Sequence, residues 1–307
     1  MNKTCIIIAG PTAVGKTSVA IDIAKHFSTE IISSDSRQCY TELDIGVAKP
    51  SPQQLSEIPH HFINSHSIHN AVSAADFEQY ALKTAAALFK QHDILVMVGG
   101  TGLHIKAFCD GLDDIPTASA ELRIEFQQQY QQGGIDWLAQ QLADKDPLFY
   151  KEGEMHNPHR MMRALEVMEV SGRSILSYYT GEKKKRDFDV IKVGLELERN
   201  NLYKNINSRT DQMMSSGLLR EVEKLTPYKH NNALQTVGYR ELFAYIEGST
   251  SLERAVELIK QNTRHYAKRQ MTWFKKDEDF TWVGAGDFSN TLSVITDKLS
   301  ASASPRR

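Results

Sequence analysis

At 307 residues, with 41% hydrophobic and 24% charged side chains, the chain can bury one large core, or one core plus a smaller appended domain, and falls outside the disordered class. A formal net charge of -2 excludes a global attraction to nucleic acid, so any such binding must come from a local patch. No apolar stretch approaches the roughly 20 residues of a membrane span, and the run before Gly10 is too short for a secretory signal. Cys5, Cys39 and Cys109 are isolated and odd in number, which indicates neither a disulfide framework nor a zinc knuckle and suits a reducing cytoplasm.

Thr4–Ala9 reads as an apolar strand running into Gly10-Pro11-Thr12-Ala13-Val14-Gly15-Lys16-Thr17. That run matches the phosphate-binding loop G-x-x-x-x-G-K-[ST] at every fixed position. Gly10 and Gly15 let the backbone turn tightly so that several N–H groups face one anion. Lys16 adds a cation, and Thr17 offers a hydroxyl to Mg²⁺. Val19, Ala20, Ile21, Ile23 and Ala24 open a helix whose positive end faces the phosphates. A phosphorylated ligand is expected here, of a kind the loop does not specify.

Glu30–Ser34 is a second strand, His61–Ile63 a weaker one, and Ile94–Val98 a strong one, with helical spacing over Ala74–Gln91. Strand–helix alternation predicts a parallel sheet with helices on both faces. Ligands of such sheets sit beyond the carboxyl ends of the strands, which selects Gly10–Thr17, Asp35–Arg37 and Gly99–Thr101. The fold class is therefore α/β, a core like that of phosphate-loop NTPases, carried by residues 1–115 and 188–299.

From Ala118 to about Ser171 the chain is helical and rich in Gln, with breaks at Gly133-Gly134 and Asp146-Pro147. This predicts a helical insertion domain of about three helices over residues 116–187. Lys183-Lys184-Lys185-Arg186 marks its far edge, as a solvated charge run or a polyanion contact. Val190–Leu195 returns to strand, followed by helices over Arg199–Leu225, Tyr239–Ile246 and Ser251–Phe274. Residues 300–307 read as a disordered tail.

Asp35 ends the second strand, where a carboxylate can bind Mg²⁺, take a proton from a nucleophile, or simply cap the next turn. A phosphate-loop NTPase usually places an Asp after a later strand to hold Mg²⁺. Here the strand ending at Val98 runs instead into Gly99-Gly100-Thr101-Gly102, and no Asn-Lys-x-Asp guanine signature occurs, so nucleotide hydrolysis is disfavoured. Between Lys260 and Lys276 there are six Lys or Arg and no acid, with Tyr266, Trp273 and Phe274 interleaved. Lys260, Arg264 and Lys268 share one helix face, a charge and stacking footprint for nucleic acid. His60, His61, His66 and His69 match no metal-ligand spacing and read as loop or core histidines.

Together these segments resemble the tRNA dimethylallyltransferase (tRNA isopentenyltransferase) family, bacterial type. The resemblance runs through Ser34–Gln38, Leu43–Gly46, Ala48-Lys49-Pro50, Gly99–Leu103, Arg160, Arg163–Val167, the Arg209 segment, Gln235–Glu241, Asn262-Thr263-Arg264 and Ala267–Phe274. It implies transfer of a five-carbon dimethylallyl group from dimethylallyl diphosphate to the exocyclic amine of an adenine beside the anticodon of tRNA, by a cytoplasmic monomer. Gly10, Pro11, Thr12, Ala13, Val14, Gly15, Lys16 and Thr17 would then hold the donor diphosphate with Mg²⁺ on Thr17. Asp35 would be the general base, Thr101 would hold Asp35 or the donor near its target, and Arg209 would stabilise the leaving group.

The same resemblance places Asp35, Ser36, Arg37, Gln38, Thr101, Arg123, His159, Arg160, Met161, Met162, Arg163, Gly238, Tyr239, Arg240, Lys268, Arg269, Gln270, Trp273 and Lys275 against the anticodon stem-loop. Cys39, Glu42, Val47 and His104 depart from the family's usual residues, and Val47 and His104 are the two that would alter the donor channel or RNA contacts. The rivals are a phosphate-loop kinase with Asp35 as base for a hydroxyl, and a nucleotide-gated RNA-binding protein without chemistry.

Overall fold

The apolar run Thr4–Ala9 is strand β1, buried at every residue, as a strand covered on both faces of a parallel sheet must be. The structure, a computed structural model, describes residues 2–303. After β1 come α1 (Lys16–His26), β2 (Ile31–Ser33), α2 (Pro52–Glu57), β3 (His60–His61), α3 (Ala74–Leu88), β4 (Ile94–Gly99) and α4 (Gly102–Asp110). Helices α5 (Ala120–Lys145), α6 (Pro147–Glu152) and α7 (Pro158–Ser171) follow. The chain continues as β5 (Asp189–Glu196), α8 (Arg199–Ser215), α9 (Leu218–Leu225), α10 (Tyr239–Ile246), α11 (Leu252–Phe274), β6 (Phe280–Gly284) and α12 (Phe288–Ala303).

The strands form one sheet in the order β3-β2-β4-β1-β5-β6, every pair parallel. Successive β1 side chains point to opposite faces. Cys5, Ile7 and Ala9 join a core with Phe62, Phe77 and Tyr239, whereas Ile6 and Ile8 join one with Val19, Ile23 and Ile295. Register puts Ala9 opposite both Gly99 and Gly194, and Ser33 opposite Val98. The segments after β1, β2 and β4 therefore leave the sheet at one edge, where the ligand site of such a sheet is built.

The chain divides into two compact units, one of residues 1–109 with 185–307 and one of residues 110–184. The second begins and ends a few residues before the expected 116–187. It has its own core, including Phe126, Leu138, Phe149, Met161 and Leu165. Its longest helix, α5, is broken at Gly134, whose φ of 63° and ψ of -156° are not helical. Asp146 then caps α6, accepting from Phe149 N–H at 2.9 Å.

Three differences from the sequence expectation have local causes. The helix expected over Arg199–Leu225 is two, because Gly217 turns left-handed at φ 102°. β6 and α12 carry no clear sequence signal: β6 is only five residues long, and α12 offers Ile295 and Leu299 to the core from a Ser/Thr-rich segment. The tail expected from Ser300 is helical through Ala303, since Ala-rich sequence readily extends a helix already anchored by Leu299; residues 304–307 lie outside the described residues. The basic run at 183–186 is also divided. Arg186 is bound internally, to Glu78 at 2.7 Å and to the carbonyls of Ala107 and Phe108 at 2.7 and 2.8 Å. No helix among the described residues is long and apolar enough to cross a membrane.

Candidate active site

The loop after β1 takes its shape from three residues with positive φ: Gly10 at 146°, Ala13 at 64° and Gly15 at 95°. At Gly10 a Cβ would lie 2.6 Å from the carbonyl oxygen of Leu195 on β5, so only glycine lets the loop pass over that strand. Lys16 Nζ turns back to the carbonyl of Pro11 at 2.8 Å. Burial lowers its pKa to about 7, against the opposing pull of Asp35 and with a further push from Arg209. Arg209, on α8, donates from Nη2 to Thr12 Oγ1 at 2.6 Å, and the neighbouring carboxylate of Asp35 partly offsets the burial that lowers its pKa. The loop, Arg209 and Asp35 thus share one electrostatic environment.

Asp35 follows β2 and uses one carboxylate oxygen structurally. Oδ1 accepts the N–H groups of Arg37 and Gln38 at 2.8 and 3.3 Å, a turn closed by its own side chain. Oδ2 has no hydrogen-bond partner among the described residues. One oxygen is thus engaged in the turn, and the other is left to a further partner. Thr101 Oγ1 accepts from Ser36 N–H at 3.1 Å and lies 3.3 Å from Ser36 Oγ. The hydroxyl of Tyr266 lies beside Thr101, and burial followed by the charge of Asp35 raises its pKa to about 12. Tyr266 is legible in the sequence only as one aromatic of a basic helix; its reach to Thr101 is a tertiary fact.

Two cavities meet here. One of about 630 Å³ is lined by Thr12, Lys16, Thr17, Gln38, Asn205 and Ser208 among others. A second of about 320 Å³ is lined by Ser36, Met213, Leu218, Arg240, Tyr266 and Arg269 among others. Thr12, Asp35, Val47, Ala48 and Arg209 border both. The first offers main-chain amides and cations to an anion; the second adds apolar and aromatic wall beside arginines. Thr17 in the first supplies one hydroxyl oxygen. That sparse oxygen donor set fits Mg²⁺, which keeps most of its coordination for water and phosphate oxygens.

Several residues expected against RNA have other work. Gln270 is 6% exposed and bridges two loops, accepting from Thr12 N–H at 2.8 Å and donating to the Gly100 carbonyl at 2.9 Å. Tyr239 is fully buried, and its hydroxyl donates to Glu221 Oε1 at 2.6 Å. Glu221 in turn accepts the N–H groups of Ile45 and Gly46 at 2.7 and 3.0 Å, fixing the segment that leads to Val47. Met161 is fully buried in the core of the helical unit. Each of these three lies on the inward face of its helix.

Lys268, Arg269 and Trp273 are exposed on α11, with Trp273 against Gly102. Lys275 pairs with Glu196 at 3.0 Å. Arg37 donates to the Asn232 carbonyl at 3.0 Å, and Gly238 N–H to Glu241 at 2.8 Å. In the helical unit, Arg163 and Arg123 converge on Glu166 at 3.2 and 3.6 Å, Arg160 pairs with Glu154, His159 is exposed and Met162 half-buried. Of the departures, Val47 does line both cavities. His104 instead stacks on Phe77 at 4.2 Å, its pKa lowered to about 4 by burial, and Glu42 accepts from Ile68 N–H at 3.0 Å.

The family model described as IPP transferase matches residues 38–277. The chain is 47% identical to the tRNA dimethylallyltransferase of Christiangramia forsetii over 97% of this chain and 99% of that protein. It is 44% identical to tRNA dimethylallyltransferase 1 of Bacteroides thetaiotaomicron over 91% of each. Among solved structures, the full-length tRNA isopentenylpyrophosphate transferase from Bacillus halodurans is similar with a TM-score of 0.70 and 33% identity, covering 97% of this chain and 96% of that one. A family match over most of the chain, relatives alike from end to end, and a phosphate loop facing a half-free carboxylate agree: the chain belongs to the IPP transferase family.

Proposed function

We propose that the chain transfers the dimethylallyl group of dimethylallyl diphosphate to the exocyclic amine of the adenine adjacent to the anticodon of tRNA. Dimethylallyl transfer to tRNA is the activity its relatives carry in their names; the atom and nucleotide accepting the group, and the residues that act, are our own assignment. The observation that carries it is Asp35, which borders both cavities and keeps Oδ2 free of intramolecular bonds.

The donor diphosphate occupies the larger cavity on the loop amides, with Lys16 and Arg209 beside it. The adenine leaves its stack, at a cost of a few kcal/mol, and reaches Asp35 from the smaller cavity. Its amine is barely basic, so its proton must leave as the N–C bond forms. Asp35 Oδ2 takes that proton while the bond between the donor carbon and its diphosphate oxygen breaks. The electron pair stays on diphosphate, where Lys16 and Arg209 meet the growing charge. Thr17 would hold Mg²⁺, which would supply further charge neutralisation on the diphosphate.

Thr101 and Tyr266 orient the Ser36 turn beside the base. Arg37, Arg240, Lys268 and Arg269 supply positive charge for the RNA backbone; in the helical unit, taken by itself, Arg123, Arg160 and Arg163 do so too, with His159 and Met162 as further RNA contacts. A cytoplasmic monomer belongs to the same proposal, in keeping with cysteines that form no disulfide among the described residues.

The test is incubation of the protein with Mg²⁺, labelled dimethylallyl diphosphate and unmodified tRNA carrying adenine beside the anticodon, against an ATP-only control. Label in the RNA, lost when that adenine is replaced by guanine, is the expected result. ATP consumption without label in RNA would replace the proposal with a kinase site.

A further inference from the structure

The buried row of α11 is Ala255, Ile259, Thr263, Ala267, Gln270 and Phe274, in which Gln270 alone carries an amide. Both ends of that amide are used: Oε1 accepts Thr12 N–H at 2.8 Å and Nε2 donates to the Gly100 carbonyl at 2.9 Å. The approach is so close that a Cβ on Gly100 would collide with Nε2. A glutamate here would set a carboxylate against the Gly100 carbonyl, and a leucine would leave two buried main-chain groups unpaired.

Thr12 is thereby held twice. Gln270 fixes its main chain, and its hydroxyl accepts the 2.6 Å bond from Arg209. The amide of Thr12 is consequently not directed at an anion, unlike the usual employment of phosphate-loop amides. It anchors the residue on which the Arg209 guanidinium rests.

We infer that Gln270 is a positioning residue that sets Thr12, and through Thr12 the Arg209 guanidinium, against the leaving diphosphate. This rests on the dimethylallyl-transfer proposal for its catalytic consequence, though not for its effect on diphosphate itself. Gln270 contacts neither substrate. Because the Gly100 carbonyl shares the same amide, the bridge also ties the loop after β1 to the loop that delivers Thr101.

A double-mutant cycle of Gln270→Leu and Thr12→Val tests this, read both in kcat for tRNA prenylation and in the Kd for inorganic diphosphate. Gln270→Leu should lower kcat by about 10- to 100-fold through misplacement of Arg209, with KM for tRNA within about twofold of wild type. Thr12→Val should cost a similar factor. The double variant should lose no more than about twofold beyond the worse single one, in both readouts. Gln270→Glu, which keeps the acceptor for Thr12 N–H, should recover part of kcat; it also carries the test should circular dichroism show Gln270→Leu unfolded.

Losses that multiply, wild-type turnover in Gln270→Leu, or a defect confined to KM for tRNA would each overturn the inference. Failure of the wild type to prenylate tRNA, with a non-additive cycle in diphosphate affinity, would retain the positioning role and remove the transferase proposal.

Discussion

Lys16 Nζ and the carbonyl oxygen of Pro11 are 2.8 Å apart, so the loop's cation is folded onto its own main chain. Its pKa, lowered to about 7 from 10.5 chiefly by burial, gives the free protein a pH signature. Between those two values the unfolded chain binds more protons at this site, so stability rises with pH; below about pH 7 both states are protonated and the penalty is complete. Tyr266, raised to about 12, works in the opposite sense at alkaline pH, which confines the useful window to about pH 7–9. Denaturant unfolding should show a steeper rise over that window in wild type than in Lys16→Met. Saturating inorganic diphosphate should flatten it. Equal slopes in the two proteins would mean that Lys16 is solvated as in water.

Asp35 offers a cleaner variant than alanine. Asp35→Asn keeps an oxygen for the Arg37 and Gln38 amides and removes only the base. Turnover should fall by on the order of 10²-fold or more with tRNA affinity and thermal midpoint close to wild type. Asp35→Ala should add a loss of stability through the turn. Equal turnover in Asp35→Asn and wild type would assign the proton to another group.

Tyr266→Phe removes the hydroxyl beside Thr101 and leaves the ring. Loss of a polar contact worth about 1 kcal/mol should lower kcat by about fivefold. Thr101→Val should cost at least as much, since its oxygen also receives the Ser36 amide. Steady-state kinetics at saturating donor would separate this from a change in KM for tRNA, which is not expected.

The basic face of α11 is unequal along its length. Lys260 is paired with Asp211 at 2.5 Å and Arg264 with Asn207 at 2.8 Å, whereas the ammonium of Lys268 has no partner among the described residues. Lys268→Ala should therefore make the salt dependence of tRNA binding shallower, by about 0.7 in slope for each phosphate it no longer neutralises. Lys260→Ala should leave it nearly unchanged. Filter binding across a salt series measures both; identical slopes for Lys268→Ala and wild type would take this residue off the RNA.

The phosphate loop, the parallel sheet and the breaks at Gly134 and Asp146 were legible because each rests on local chemistry: a fixed glycine spacing, apolar runs, a missing helical dihedral. Asp35 was legible as a choice between cap and base, and the structure puts the turn-closing bonds on Oδ1 alone. What the sequence withheld depends on pairings made far along the chain. Gln270 and Thr12 are 258 positions apart, so the bridge between them has no local signal. The resemblance names Gln270, Tyr239 and Met161 as residues that matter without saying which way each points.

The placement of Gln270 within α11 has a consequence for altering substrate preference. Lys268 and Arg269 face out just ahead of an amide that anchors the loop after β1 at Thr12. Grafting the whole helix from a relative with other RNA preferences would import a foreign anchor along with the new surface. Libraries that hold Thr263, Ala267, Gln270 and Phe274 constant, and vary only the outward positions between them, would change the exposed surface while sparing the anchor on Thr12.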